Sequence, residues 1–311
     1  MSHFPADDTA PVAATLAQNP GPDGSTSTPI PARFDAAEPL PVAAFSWHCL
    51  RRDVSNFALL KHRHFDGFLI TMQNSGTHWL KHMMSTALAL EFNLPPPAFL
   101  ENNLSNDFIG HPRHPRRYPQ VPRLASTHSI PHVWFDSRLL RSCVAIPRYT
   151  VLVRDLRAAL VSNYEKHKVH YGVTFKEYLR GDPRGRRYVF DLWGGIHFLN
   201  RWGRVRRRFP ADTLQVRYED LQTTPETVLT AIFAHFGIAL APRHLAPAIA
   251  SGSKQRMTQL KSPNNPAQRI VRDDARPAVA WFDAEDRQYF DRVVARCLHY
   301  REDYDWRWPV L

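Results

Sequence analysis

The stretch Gly67–Leu80 reads GFLITMQNSGTHWL and decides the fold. It opens as an apolar strand pattern, breaks into the small and polar residues Gln73, Asn74, Ser75, Gly76 and Thr77, and continues into the helical pattern of His78–Glu91. A strand, short loop and helix in that order make an anion site, because unpaired backbone N–H groups and the positive end of the helix dipole converge there. A phosphate-like ligand is therefore expected. The triphosphate loop of ordinary nucleotide-binding proteins needs glycines spaced across the loop and then Lys followed by Ser or Thr, and nothing here fits it.

Composition sets the frame around this loop. With 311 residues the chain is long enough for a full core, and one large domain behind a tail suits it better than two equal domains. A formal charge of +11 and a pI near 9.9 favour a polyanionic partner such as a doubly charged nucleotide, an acidic glycan or a nucleic acid. Cys49, Cys143 and Cys297 are odd in number, far apart and without CxxC spacing, which excludes a disulfide framework and a zinc cluster and leaves reduced thiols. No apolar run approaches the roughly 18 residues of a membrane span, and Met1–Ala10 lacks the basic start and apolar core of a signal peptide. The expectation is a cytoplasmic, soluble protein with no integral membrane contact.

Residues 1–42 hold eight prolines among Ala, Thr, Ser, Asp and Gly, and are expected to be a disordered tail. Residues 43–311 alternate strand and helix patterns, which predicts an α/β domain, a three-layer sandwich with a central parallel sheet. Strands are expected at Gly67–Met72, Arg123–Ser126, Tyr149–Val153 and Thr213–Tyr218, with helices over Asp155–Lys168 and after Pro225. The Pro-, His- and Arg-rich stretch Pro95–Pro122 reads as an irregular loop. Arg201, Arg204, Arg206, Arg207 and Arg208 close a helix before Pro210, where positive charge suits the dipole and a solvated face is expected. Trp202 alone is interleaved with them, too few aromatics for a stacking surface, so nucleic acid is not the expected partner.

Two further segments carry chemistry. In RYTVLVRDLRAALVSNYEKH, Arg148–His167, Arg154 ends a strand and Ser162 follows eight residues later in a helix. Arginine offers a fork of fixed donors to phosphate oxygens, and a serine hydroxyl adds another. Read alone, the same letters also suit an arginine paired with Asp155 or Glu165 and a serine that packs. In RLASTHSIP, Arg123–Pro131, His128 stands at a strand end. An imidazole with a pKa near roughly 6.5 suits a base at neutral pH.

Ser75, Gly76, Thr77 and Trp79, then Thr127, His128 and Pro131, then Arg154 and Ser162, then VRYEDL at Val216–Leu221, resemble in composition and order the PAPS-dependent sulfotransferases of the cytosolic type, PAPS being 3′-phosphoadenosine 5′-phosphosulfate. The resemblance runs from about residue 67 to 285. It implies a P-loop-like phosphosulfate loop in which Asn74, Ser75, Gly76, Thr77 and His78 hold the 5′-phosphosulfate and Trp79 stacks on adenine. It further implies that Arg154 and Ser162 hold the 3′-phosphate and that His128 is the base for a hydroxyl or amine acceptor. PAPS is the implied sulfuryl donor, no metal is implied, and the acceptor is a small molecule, a glycan or a lipid. Tyr218 of the YED sequence is expected to scaffold the fold, an adenine contact being the alternative.

The chain departs from that family at three places. A lysine usual before Ser-Gly-Thr is Asn74 here, and a lysine usual before Thr-His is Ser126. Charge from His78, Lys81, Arg123 or Lys261 is the candidate replacement. The family's Arg-Lys-Gly run near the C terminus, which clamps the 3′-phosphate, is absent from Ser262–Phe282; of Arg269, Arg272 and Arg276, Arg272 lies nearest the expected distance from Trp281 and is the expected cofactor-binding arginine there. Two other readings stay open, a nucleoside-triphosphate kinase or hydrolase, and a PAP- or PAPS-binding protein weakened as a catalyst. Pro95–Pro122 and Val169–Arg187 are the expected acceptor loops.

Overall fold

The computed structural model describes residues 41–98, 107–113, 115–260, 276–301 and 304–308. The tail expected over 1–42 lies outside the described residues as far as residue 40, and the chain is helical from Val42. Arg269 and Arg272 lie outside them too, as does Lys261.

Five parallel strands form one sheet: β1 Gly67–Thr71, β2 Ile109–Gly110, β3 Leu124–Thr127, β4 Arg148–Val153 and β5 Thr213–Arg217. Their order across the sheet is β2-β3-β1-β4-β5. β1 pairs with β3 from Gly67↔Leu124 to Ile70↔Thr127, and with β4 from Gly67↔Arg148 to Thr71↔Leu152. The chain thus runs outward from β1 in both directions, and the loops after β1, β3 and β4 meet at one end of the sheet. In such open α/β sheets that carboxyl end is where ligands bind.

Six helices of three turns or more carry labels here: α1 Val42–Ser55, α2 Thr77–Glu91, α3 Leu156–Tyr171, α4 Leu192–Arg208, α5 Pro225–Phe236 and α6 Ala284–Cys297. All five residues of β1 are buried, as expected of a strand covered on both faces. On one face Leu69, Leu124, Leu152 and Val216 pack against Met83, Met84, Ala87 and Leu88 of α2 and Leu229, Ile232 and Phe233 of α5. On the other, Phe68 meets Tyr149, which in turn meets Trp202 of α4 at 5.3 Å between ring centroids. The three-layer α/β architecture is the one expected.

Two local expectations need correction. Strand β2 lies inside Pro95–Pro122, which reads as irregular; a two-residue strand is too short to show a period. The arginine cluster of α4 is not wholly solvated either. Arg201 is buried, ion-paired with Asp53 at 2.9 Å and donating through Nη1 to Asp136 at 2.8 Å, and Arg204 also reaches Asp136. Spacing along one helix gives no sight of acids brought in from elsewhere. Among the described residues no helix is long and apolar enough to cross a membrane.

Candidate functional site

The loop after β1 is shaped by backbone. Both donors of Ser75, its amide and its hydroxyl, go to the Met72 carbonyl at 3.2 and 2.6 Å, so its side chain folds the loop back rather than facing outward. Asn74 and Gly76 adopt positive φ, 60° and 92°. Asparagine tolerates that left-handed geometry. At Gly76 there is also no room for a side chain, since a Cβ would stand 2.8 Å from the Tyr218 ring. The turn delivers the chain into α2 with no capping side chain and no acid in the first turn. Leu80 is the first amide to bond back, to the Gly76 carbonyl. The amides of Thr77, His78 and Trp79 therefore point out of the positive helix end, without a backbone partner among the described residues.

His128 follows directly on β3, the neighbour of β1. Its Nδ1 lies 2.7 Å from the Thr71 carbonyl and 3.0 Å from Thr71 Oγ1, which accepts from Thr77 Oγ1 at 2.9 Å. A carbonyl only accepts, so Nδ1 donates and the neutral ring keeps its lone pair on Nε2. The residue is exposed to solvent at the end of β3, with protein packed close around its ring. Crowding by protein and the Lys81 and Lys166 charges lower its pKa below the usual histidine value, against a smaller opposite effect of the Thr71 bond. It is neutral at pH 7.

Arg154 leaves the end of β4 and crosses to the loop. Its Nη1 donates to the Asn74 carbonyl at 2.9 Å, and its guanidinium lies 4.3 Å from the centre of the Tyr218 ring. The pairing with Asp155 considered from sequence does not form: Asp155 instead caps α3 and binds Arg157. Tyr218, expected chiefly to scaffold, is central here, under Arg154, against Gly76 and edge-on to Trp79 at 5.8 Å. Trp79 is partly buried and anchored, its indole nitrogen donating to the Gly252 carbonyl at 2.7 Å. Ser162 lies partly buried on α3.

Its neighbour Asn163 is a residue the sequence reading missed. Asn74 Nδ2 donates to Asn163 Oδ1 at 3.0 Å, so one of the Asn74 amide donors is turned toward α3. The Asn163 amide nitrogen in turn lies 3.0 to 3.1 Å from the Tyr171 and Tyr178 hydroxyls and the Phe190 carbonyl. Much of Val169–Arg187, expected as an acceptor loop, is thus an aromatic support for the anion loop, with Tyr171 and Tyr178 stacked at 5.7 Å. Only a buried amide with several partners would have signalled this, and partners do not show in a sequence.

The missing lysines have neighbours of like charge. Ser126 sits on β3 opposite Leu69 and carries none. Arg123 is at the other end of that strand, 4.2 Å over Phe65, and so is ruled out as the replacement cation. Lys81, one turn into α2, is buried, which lowers its pKa to about 8. Lys166 on α3 is more exposed and is lowered in the same direction by partial desolvation. Both ammonium groups act on His78 and His128. Burial foremost, with those cations, brings His78 down to about 4, so it is a neutral donor or acceptor at pH 7 and brings no charge.

On the far side of His128 opens a cavity of about 130 Å³, lined by Arg52, Asp53 and Asn56, by Ser129 and Ile130, and by His197 of α4. Asp53 is nearly inaccessible and is bonded by His197 Nε2 at 2.7 Å and by Arg201. Asn56 Nδ2 donates to the Ile130 carbonyl at 2.9 Å. The wall beside His128 is therefore built by the region of α1, which the sequence reading assigned to no site.

A model of the sulfotransferase domain matches residues 65–293. No curated protein sequence matches the chain. Among solved structures, that of mouse sulfotransferase SULT7A1 complexed with PAP is similar at 17% identity, with a TM-score of 0.54 over 82% of this chain and 90% of that one. A retinol dehydratase in complex with androsterone and the inactive cofactor PAP is similar at 14% identity, with a TM-score of 0.52 over 86% of this chain and 88% of that one. At such identity the likeness is one of fold.

Proposed function

The chain belongs to the sulfotransferase domain family, and from that premise we propose that it transfers the sulfuryl group of PAPS to a hydroxyl or amine acceptor, with His128 as the base. PAPS supplies an activated sulfuryl group on a good leaving group, PAP. The residues present fit it. An uncapped helix start with three outward amides suits the 5′-phosphosulfate. Among the described residues Arg154 has a buried Nε without a hydrogen-bond partner and no carboxylate partner, and with Ser162 it suits the 3′-phosphate. Trp79 and Tyr218 offer ring surface for the purine.

The observation that carries the reading is the orientation of His128. Thr71 fixes its Nδ1–H, so Nε2 faces the cleft as the acceptor of a proton. The acceptor's O–H or N–H gives that proton to Nε2 as its heteroatom bonds to sulfur. The bond from sulfur to the bridging oxygen breaks on the opposite side, and PAP leaves with the electron pair. Thr77, joined through Thr71 to His128, holds the base in register with the loop.

Charge builds on the equatorial and bridging oxygens during such a transfer, and fixed positive groups offset it. In this chain Lys81 and Lys166 take that part in place of Asn74 and Ser126, because both ammonium groups act on the histidines flanking the loop. This supports turnover over mere nucleotide binding.

Thermal denaturation with PAP, PAPS and ATP plus magnesium tests the donor. PAP at one hundred times its dissociation constant should stabilise the protein by about 2.7 kcal/mol. Stabilisation by ATP with magnesium but not by PAP would overturn the proposal.

A further inference from the structure

Helix α1 buries Phe45 and Asp53 against the protein and leaves a second apolar face in solvent. Asp53, Asn56 and Arg52 line the cavity at His128, while Trp47, Leu50, Val54 and then Phe57 are 58, 47, 47 and 53% exposed. Spacings of three and four put Trp47, Leu50 and Val54 on one face of the helix, and Phe57 follows just past its end. Trp134, 59% exposed, extends the patch. It joins through His132, whose ring lies 4.5 Å from Phe57 and 5.4 Å from Trp134, and whose Nε2 donates to the Val54 carbonyl. No described residue covers this face.

Charge narrows what does. Arg51 and Arg52 are exposed beside the stripe, and the helix is followed by Lys61 and Arg63. From Val42 to Lys61 the sole acid is Asp53, which is buried and already held by His197 and Arg201. Aromatic and aliphatic side chains on one face, flanked by arginines and free of exposed acids, match the boundary between acyl chains and anionic headgroups. The chain's charge of +11 has the same sign.

We propose that α1, with Phe57 and Trp134, docks the protein on a membrane surface containing anionic phospholipid. The docked residues Trp47, Leu50 and Val54 lie on the side of α1 away from Asp53 and the cavity at His128. This surface goes beyond the sulfuryl-transfer reading and stands or falls without it.

Sedimentation of the full chain with vesicles of phosphatidylcholine, with and without phosphatidylglycerol, is the test. Binding should require phosphatidylglycerol, and should weaken about tenfold or more in Leu50→Ser/Phe57→Ser and, separately, in Arg51→Glu. All three positions are exposed, and an unchanged response of melting temperature to PAP in each variant confirms that the rest of the domain is intact. Failure of the parent chain to sediment with either vesicle overturns the proposal. So does binding that Leu50→Ser/Phe57→Ser leaves unchanged, since charge alone would then explain it. A parent dimer, seen by light scattering, that Leu50→Ser/Phe57→Ser converts to monomer also overturns it, by assigning the face to a second copy.

Discussion

The two walls of the cleft are built in opposite ways. On the loop side, consecutive residues from Met72 to Trp79 fold on themselves, and their backbone does most of the work through two positive φ angles and an uncapped helix start. On the cavity side, side chains converge from far apart, and the bond between Asp53 and His197 spans 144 residues. A site made from contiguous backbone accepts one shape of ligand. One made from dispersed side chains can be remodelled without touching the loop, so the two walls should respond separately to substitution.

His128 stands where the walls meet and gives the sharpest test. His128→Ala should lower sulfation by about 100- to 10,000-fold and leave the thermal response to PAP in place. Loss of both together would mean that the walls are one unit. Next in size, Lys81→Met should lower turnover about 100-fold or more, measured at saturating PAPS.

The same variant tests the pH profile. His128 acts neutral, and its pKa is lowered, so activity should hold as pH falls past about 6.5 and drop only below it. Removing the Lys81 charge raises that pKa and moves the acid limb upward. Lys81 itself titrates at about 8, so the parent should lose activity as pH rises through that value, a limb that Lys81→Met should lack.

Arg154→Met confines damage to the loop side. Losing a charged donor to a phosphate costs about 1.5–3 kcal/mol, or roughly ten- to a hundredfold in PAP affinity by titration calorimetry. Gly76→Ala should weaken PAP about tenfold, through about 1–2 kcal/mol of left-handed strain and the contact with Tyr218. Smallest of all, His197→Gln should raise the acceptor KM by about threefold to tenfold, the worth of one hydrogen bond, and leave PAP affinity unchanged. Equal effects on both would show that the walls communicate.

Legibility in the sequence followed the same division. The strands around Gly67, Arg123, Tyr149 and Thr213 and the loop at Asn74–Thr77 were readable because short-range patterns determine them. His128 and Arg154 were readable as strand-end residues. Asn163, Tyr218 and the α1 wall were not, because each acts through partners distant in the chain. Arg201 looked solvated for the same reason, its acids lying at Asp53 and Asp136. Ser75 read as part of the anion cradle, yet both its amide and its hydroxyl are committed to the Met72 carbonyl.

Asn163 also ties the loop to the history of the chain. The bond from Asn74 closes over 89 residues, and Asn163 is held in turn by Tyr178 and Phe190. Closing so long a segment is slow compared with forming a local turn. The loop should therefore reach its final shape late in refolding, after helix content has returned, and recovery of PAP binding should lag behind recovery of the far-ultraviolet circular dichroism signal.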